Sequence, residues 1–152
     1  MTGDTSSGVT FLVGYGVAEA ADEAWQILRE AESDLRLPEQ AAVVIQGMGR
    51  VAFACAEQLH RLGYRIAGMS DSKVFLYDPE GLDPNQIRQI KKSGRDFRNC
   101  GELSGSTRVV QSEEWLSVPC DILIPCALAD ALSGENAPQV GAKLLVEGAN
   151  IA

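Results

Sequence analysis

Apolar side chains recur at three- and four-residue steps between Gly16 and Leu37, at Ala20, Ala24, Ile27, Leu28, Ala31 and Leu35. Glu19, Asp22, Glu23, Glu30 and Glu32 fill much of the surface between them. That period predicts an amphipathic helix. Its acids come early and its arginines (Arg29 and Arg36) late, the order a helix dipole favours. Pro38 is expected to end it. Residues 1–13, rich in glycine and hydroxyl side chains, read as a flexible head. Beyond Pro38 the pattern changes. Ala41–Gln46 is a nearly unbroken apolar run, which suits a strand covered on both faces of a parallel sheet. Gly47-Met-Gly49 turns the chain into a helix that carries Val51, Ala54, Cys55, Leu59 and Leu62 on one face and stops at Gly63. Tyr64–Met69 then reads as the next strand, so one strand–helix–strand crossover is complete.

The alternation continues. Val74–Tyr77 is a short strand running into the Asp78-Pro-Glu-Gly81 turn, and Asp83 with Pro84 opens a helix to Ser93. Residues 99–107 form a loop, Arg108–Val110 a weak strand and Ser112–Leu116 a short helix. Asp121–Cys126 is a second apolar strand, Ser133 opens another short helix, and Ala142–Glu147 is a third apolar strand. With no internal repeat and no linker, the expectation is one α/β domain. Its architecture is an open, doubly wound, Rossmann-like sheet, mostly parallel, with helices on both faces and the amphipathic helix in front. Arg88, Lys91, Lys92, Arg95 and Arg98 gather in and after the 84–93 helix and read as a solvated basic end.

Composition narrows the function classes. The 152 residues suit a single domain, and 45% apolar with 22% charged side chains is an ordinary globular balance. A formal charge of −8 repels phosphate backbones and argues against a dedicated nucleic-acid binder. The chain has no eighteen-residue apolar run and no basic, apolar start, so neither a membrane span nor a secretory signal is expected. Cys55, Cys100, Cys120 and Cys126 form no Cys-x-x-Cys pair, and His60 is the single histidine. The expectation is therefore no metal site, with reduced thiols in a cytoplasm.

The chemistry concentrates at Gly47-Met-Gly49-Arg-Val-Ala52, between a predicted strand and a predicted helix. In a dinucleotide site Gly47 permits the tight turn, Gly49 clears the backbone for a diphosphate, and Ala52 allows close packing of helix on strand. The free N–H groups at the helix start supply positive polarity. Asp71, nineteen residues after Ala52, stands at the end of the second strand, where a carboxylate can accept hydrogen bonds from an adenosine ribose. A carboxylate favours NAD, with its free 2′-hydroxyl, and NAD is the mild preference. Ser70, Ser72 and Lys73 could surround a 2′-phosphate, so NADP stays open.

Six ordered segments carry a resemblance: Val43-Val-Ile-Gln-Gly-Met-Gly-Arg-Val51, Ser70-Asp-Ser-Lys73, Tyr77-Asp-Pro-Glu-Gly-Leu-Asp83, Cys120-Asp-Ile-Leu-Ile-Pro125, Glu135-Asn-Ala-Pro138 and Val146-Glu-Gly-Ala-Asn150. From about Gly14 to Asn150 the chain resembles the coenzyme-binding domain of the glutamate/leucine/phenylalanine/valine dehydrogenases, nearest the glutamate branch. The resemblance implies oxidative deamination of an amino acid to a 2-oxo acid, with hydride passed to NAD or NADP. It places Gly47, Met48, Gly49, Arg50 and Val51 along the diphosphate, Asp71 on the ribose, Cys126 and Ala127 at the rim of the cofactor cleft, and Asn150 towards the nicotinamide amide.

Some positions depart from the family pattern. Val13 stands where the family has threonine, Val9 and Thr10 where it has arginine, Val74 and Phe75 in place of glycines, and Arg50 in place of asparagine. The family's substrate domain, with its catalytic lysine and aspartate, has no counterpart in these residues. The expectation is thus a dinucleotide-binding domain inactive by itself, with no catalytic residue of its own. Two other readings stay open. One is a ligand-free partner module, associating as a homodimer through an exposed sheet edge or apolar face. The other is half of a split dehydrogenase completed by a separate substrate domain.

Overall fold

The computed structural model describes residues 5–127 and 141–148. The strand of the first apolar run, β1 (Ala42–Gln46), is buried at every position. It leads through the glycine turn into α2 (Arg50–Arg61), which is preceded in the chain by α1 (Thr5–Ala31). Strands β2 (Arg65–Ser70) and β3 (Val74–Tyr77) follow, then α3 (Pro84–Ser93), β4 (Arg108–Gln111), a 3-10 helix at Ser112–Leu116, β5 (Ile122–Pro125) and the two-residue β6 (Leu144–Leu145). The strands form one sheet in the order β4-β3-β2-β1-β5-β6. β1 runs parallel to β2 and β5, and β5 parallel to β6, while β3 and β4 form an antiparallel edge.

Alternation along the strands sorts the core into two layers. Val43, Ile45, Leu76, Ile122 and Ile124 face the α-helices and pack with Trp25, Leu59, Ile87 and Ile90. Val44, Phe75 and Leu123 point the other way, where the 3-10 helix covers them with Trp115. Helices therefore stand on both faces, as the unbroken apolar runs required. Phe75, read from the sequence as standing at a family glycine position, has room for its ring because Gly68, two residues before its partner Ser70 on the neighbouring strand, has no side chain. A Cβ there would lie 2.5 Å from the Phe75 ring.

The first helix departs from expectation at both ends. It begins at Thr5, so residues 5–13, read as part of a head, are helical. Glycine propensity argued against this, but packing prevails. A Cβ on Gly14 would sit 2.5 Å from Ala54 Cβ and 2.7 Å from the Val51 carbonyl oxygen, so α1 lies directly on α2 there. The helix also stops at Ala31, well before Pro38. Ser33 and Asp34 favour turns over helix interiors. The fully buried Trp25 donates its indole N–H to the Arg36 carbonyl at 2.9 Å, which fixes the returning chain against the helix. Pro38–Gln40 is a single 3-10 turn. The predicted strand over 142–147 shortens to Leu144–Leu145, and the helix expected at Ser133 lies outside the described residues.

Gly14 gives a test whose sign is informative. Alanine is better than glycine in a helix by about 1 kcal/mol. Forcing a methyl group into a filled contact costs about 1–3 kcal/mol. Gly14→Ala is expected to lower unfolding stability by about 1 kcal/mol in urea titration. A stabilised variant would mean that the two helices can spread.

Candidate functional site

The two turn glycines do different work. Gly47 has φ +127°, a conformation L side chains rarely adopt, and its N–H donates to the Ser70 carbonyl at 2.7 Å. A Cβ there would meet Ala127 Cβ at 3.1 Å. Gly49 caps α2 in extended backbone with no side-chain hydrogen bond, and a Cβ on it would meet nothing within 4 Å. The first glycine makes the turn and the second leaves the space in front of the helix open. The N–H groups of the first turn of α2, with the positive end of its dipole, thus face a clear approach suited to an anion. Ala52, only 2% exposed, lets the helix lie close on the sheet.

The turn also stands at the sheet's switch point, between β1, which is followed by β2 on one side, and β5, which is followed by β6 on the other. Gln46 closes that point. It is 8% exposed, its carbonyl accepts the Cys126 N–H at 2.7 Å, and its Oε1 accepts the Ala127 N–H at 3.0 Å. Cys126 and Ala127 therefore lie just past the end of β5, with both amides committed to Gln46. Sequence reasoning passed over Gln46, although a polar residue ending an otherwise apolar buried strand was the available signal. Met48 is buried at 7% exposure, Val51 half-buried, and Gly49 and Arg50 exposed. Asn150 lies outside the described residues.

Asp71 occupies the turn between β2 and β3. Its Oδ1 accepts the Lys73 and Val74 N–H groups at 2.7 and 2.8 Å, and Oδ2 pairs with Lys91 Nζ at 2.7 Å. Burial opposes ionisation of this carboxyl. The Lys91 ammonium and the two backbone N–H groups outweigh it and hold the group below its ordinary value. Lys91 joins two cavities. One, of about 420 Å³, lies beside Gly49 and is also walled by Arg50, Phe53, Arg88 and Lys92. The other, of about 280 Å³, lies beside Asp71 and is also walled by Lys73, Phe97, Arg95 and Arg98.

The basic helix end, read from the sequence as solvated surface, is exposed at Lys91, Lys92, Arg95 and Arg98 and also borders both cavities. Arg88, Lys91, Lys92 and Arg95 recur at three- and four-residue steps, a one-face signal that net charge obscured. Neither Val13 nor Phe75 lines these cavities. Among the described residues no group of three histidine, cysteine or acidic side chains could hold a metal ion, and no helix is long and apolar enough to cross a membrane.

Residues 6–152 match the Glutamate/Leucine/Phenylalanine/Valine dehydrogenase family. The chain belongs to this family. A glutamate dehydrogenase of Aeropyrum pernix is 36% identical over 137 residues, covering 90% of this chain and 30% of that protein. An NADP-specific glutamate dehydrogenase of Saccharolobus shibatae is 36% identical over 140 residues, covering 92% of this chain and 31% of its own length. A cryptic catabolic NAD-specific glutamate dehydrogenase of Bacillus subtilis is 37% identical over 110 residues, covering 72% of this chain and 25% of that protein. The solved structure of Plasmodium falciparum glutamate dehydrogenase 2 superposes with a TM-score of 0.78 at 27% identity over 93% of this chain and 31% of that one. The hetero-hexameric glutamate dehydrogenase of Thermus thermophilus gives 0.65 at 32% identity over 95% and 30%. This dehydrogenase-family chain thus spans about 30% of the length of the first relatives it matches.

The Asp71–Lys91 pair has a pH signature. Because the folded carboxyl titrates below its ordinary value, its contribution to stability is present above the ordinary carboxylate range and is lost as pH falls through the folded value. In Lys91→Met the Asp71 midpoint, followed by NMR, is expected to move upward, and acid unfolding to begin at higher pH. An unmoved midpoint would show that the backbone N–H groups alone hold the carboxylate.

Proposed function

We propose that this chain is the dinucleotide-binding part of an amino-acid dehydrogenase of the glutamate type. The observation that carries the reading is the open space at Gly49 in front of the uncapped start of α2, since a side chain at that point would close the cradle. The residues fit a nicotinamide dinucleotide: the backbone from Gly47 to Val51 would hold the diphosphate, with Arg50 at the mouth and Asp71 at the ribose. Cys126, Ala127 and Asn150 would edge the nicotinamide side. When bound, the group accepts or returns hydride as an amino acid is converted to a 2-oxo acid and ammonia. These residues orient the cofactor, and proton handling at the amine belongs to a substrate-binding part placed opposite the cradle.

The finer cofactor reading shifts towards NADP. A bare Asp71 carboxylate would repel a 2′-phosphate, but here Lys91 is seated on Oδ2, and Lys73, Arg95 and Arg98 border the same cavity. Cationic side chains there support a phosphate next to the ribose. A second reading, an association module that makes homodimers, draws on the exposed Leu12, Val13, Ile27 and Leu145.

Calorimetric titration with NAD, NADP and their reduced forms tests the proposal. Gly49→Ala is expected to lower the melting temperature by only a few degrees, the cost of a poorer cap, because the added methyl meets nothing, while weakening both dinucleotides by about tenfold or more. Lys91→Ala is expected to weaken NADP by about tenfold and NAD far less. Absence of heat and of thermal shift at millimolar dinucleotide would end the cofactor reading. Equal losses in Lys91→Ala would end the NADP preference.

A further inference from the structure

We propose that the amino ends of the parallel strands form a binding site for the carboxylate of a small organic acid, at the opposite end of the sheet from the glycine turn. Ala42 and Arg65 face each other in the first row of β1 and β2. Asp121, just before β5, joins that row. Its N–H donates to the Ala42 carbonyl at 2.8 Å, and its Oδ2 accepts the Ala42 N–H at 2.8 Å. Tyr77 ends β3 with the Arg108 guanidinium 5.1 Å over its ring. Arg36 comes from the chain returning after α1, where its carbonyl is fixed by the Trp25 indole. Arg36, Ala42, Arg65, Tyr77 and Asp121 all wall one cavity of about 330 Å³, at the small end of the range for ligand pockets.

The cavity holds cations without acids to match them. Among the described residues, neither Arg36 nor Arg65 makes a side-chain hydrogen bond or ion pair. Arg65 Nε is moreover buried with no partner, and an orphaned donor of this kind implies a missing acceptor. The Arg65 stem is packed along the turn after β3, since a Cβ on Gly81 would stand 3.0 Å from Arg65 Cγ. Glu39, Glu80 and Asp83 wall a neighbouring cavity that Arg65 also borders, and none of them pairs with it. The one carboxylate in the cavity itself, Asp121, has Oδ2 committed to Ala42. The Cys120 thiol, pushed up to about 12 by burial and then by the Asp121 charge, is neutral at physiological pH. Two guanidiniums against one carboxylate leave one positive charge to be met.

That balance selects the ligand. A guanidinium presents a planar fork of donors that a carboxylate meets with two parallel hydrogen bonds. One negative charge neutralises the cavity, whereas a phosphate dianion would set a second against Asp121. Ala67, Pro79 and Pro119 supply apolar wall, which a carbon skeleton covers and an inorganic ion leaves wet. The occupant is therefore a monocarboxylate of a few carbons, held by Arg65 with Arg36 as the second cation. The assignment does not rest on the dinucleotide reading.

Butyrate is titrated into the full chain at constant ionic strength, with inorganic phosphate in a parallel series. The arginine Nε–H and backbone amide signals are followed by NMR. Butyrate is expected to shift the Arg65 Nε–H and the Ala42 and Arg65 amides saturably, with a dissociation constant of about 1–10 mM, and phosphate to bind about tenfold more weakly. Arg65→Met should weaken butyrate by about tenfold or more, and Arg36→Met, at an exposed position, by about threefold. Arg61→Met, on α2 outside the cavity, should change nothing. Asp121→Asn, which keeps a carbonyl oxygen for the Ala42 N–H, should narrow the gap between phosphate and butyrate. A response to butyrate that is still linear at about 100 mM would overturn the proposal, as would equal losses in Arg36→Met and Arg61→Met. Phosphate binding the unaltered chain as tightly as butyrate would overturn it too. Should Arg65→Met fail to fold, Arg65→Lys decides the same point, since it keeps the charge and loses the fork; undiminished butyrate affinity there would overturn the assignment.

Discussion

A single buried amide organises this domain. Gln46 ends the central strand, and its backbone and side chain together hold the two residues that leave β5. On the other side, the next residue, Gly47, holds the end of β2 through Ser70. Three parallel strands are thereby fixed at their carboxyl ends by two consecutive residues, and the glycine turn cannot drift relative to either neighbour. An apolar residue at 46 would fill the same space but would leave the Ala127 N–H without its side-chain acceptor. The geometry of the cradle is a consequence of the sheet's hydrogen bonding, and only secondarily of the loop itself.

Electrostatics enter from a different layer. The chain as a whole is acidic, at −8, yet the site is bordered by cations from α3 and the loop after it. Helix packing reconciles the two. α3 lies beside α2, and its buried Ile87 and Ile90 fix which of its faces is turned to solvent. Arg88 is held by Glu57 of α2 at 3.0 Å, and Arg95 is paired with Glu102, so the basic wall is braced by acids behind it. Local field, not net charge, determines which ligand such a cleft accepts.

The sequence showed most of the framework because buried parallel strands and capped helices write strong patterns. The apolar runs of β1 and β5 were visible, Asp83 caps α3 through the Asn85 N–H as expected, and Gly47 and Gly49 stand where the turn was read. What stayed hidden depended on contacts distant along the chain. The start of α1 at Thr5 rests on Gly14 meeting α2, and its end on Trp25 reaching Arg36. The partnership of Asp71 with Lys91 joins residues twenty apart on different elements, and no local pattern announces it. Gln46 stood out in the sequence as the polar end of an apolar strand, but its partners are legible only once β1 and β5 are seen to be neighbours.

The missing side chain at Gly14 has one more meaning. With 27 residues, α1 is a rod of about 40 Å, and it touches α2 backbone to backbone. Between such surfaces there is no pliable layer to absorb displacement. A load applied along the rod is delivered stiffly to Val51, Ala54 and Cys55, immediately behind the anion cradle. The helix is thus a lever whose fulcrum lies under the glycine turn, and the fold couples whatever engages that rod to the shape of that turn.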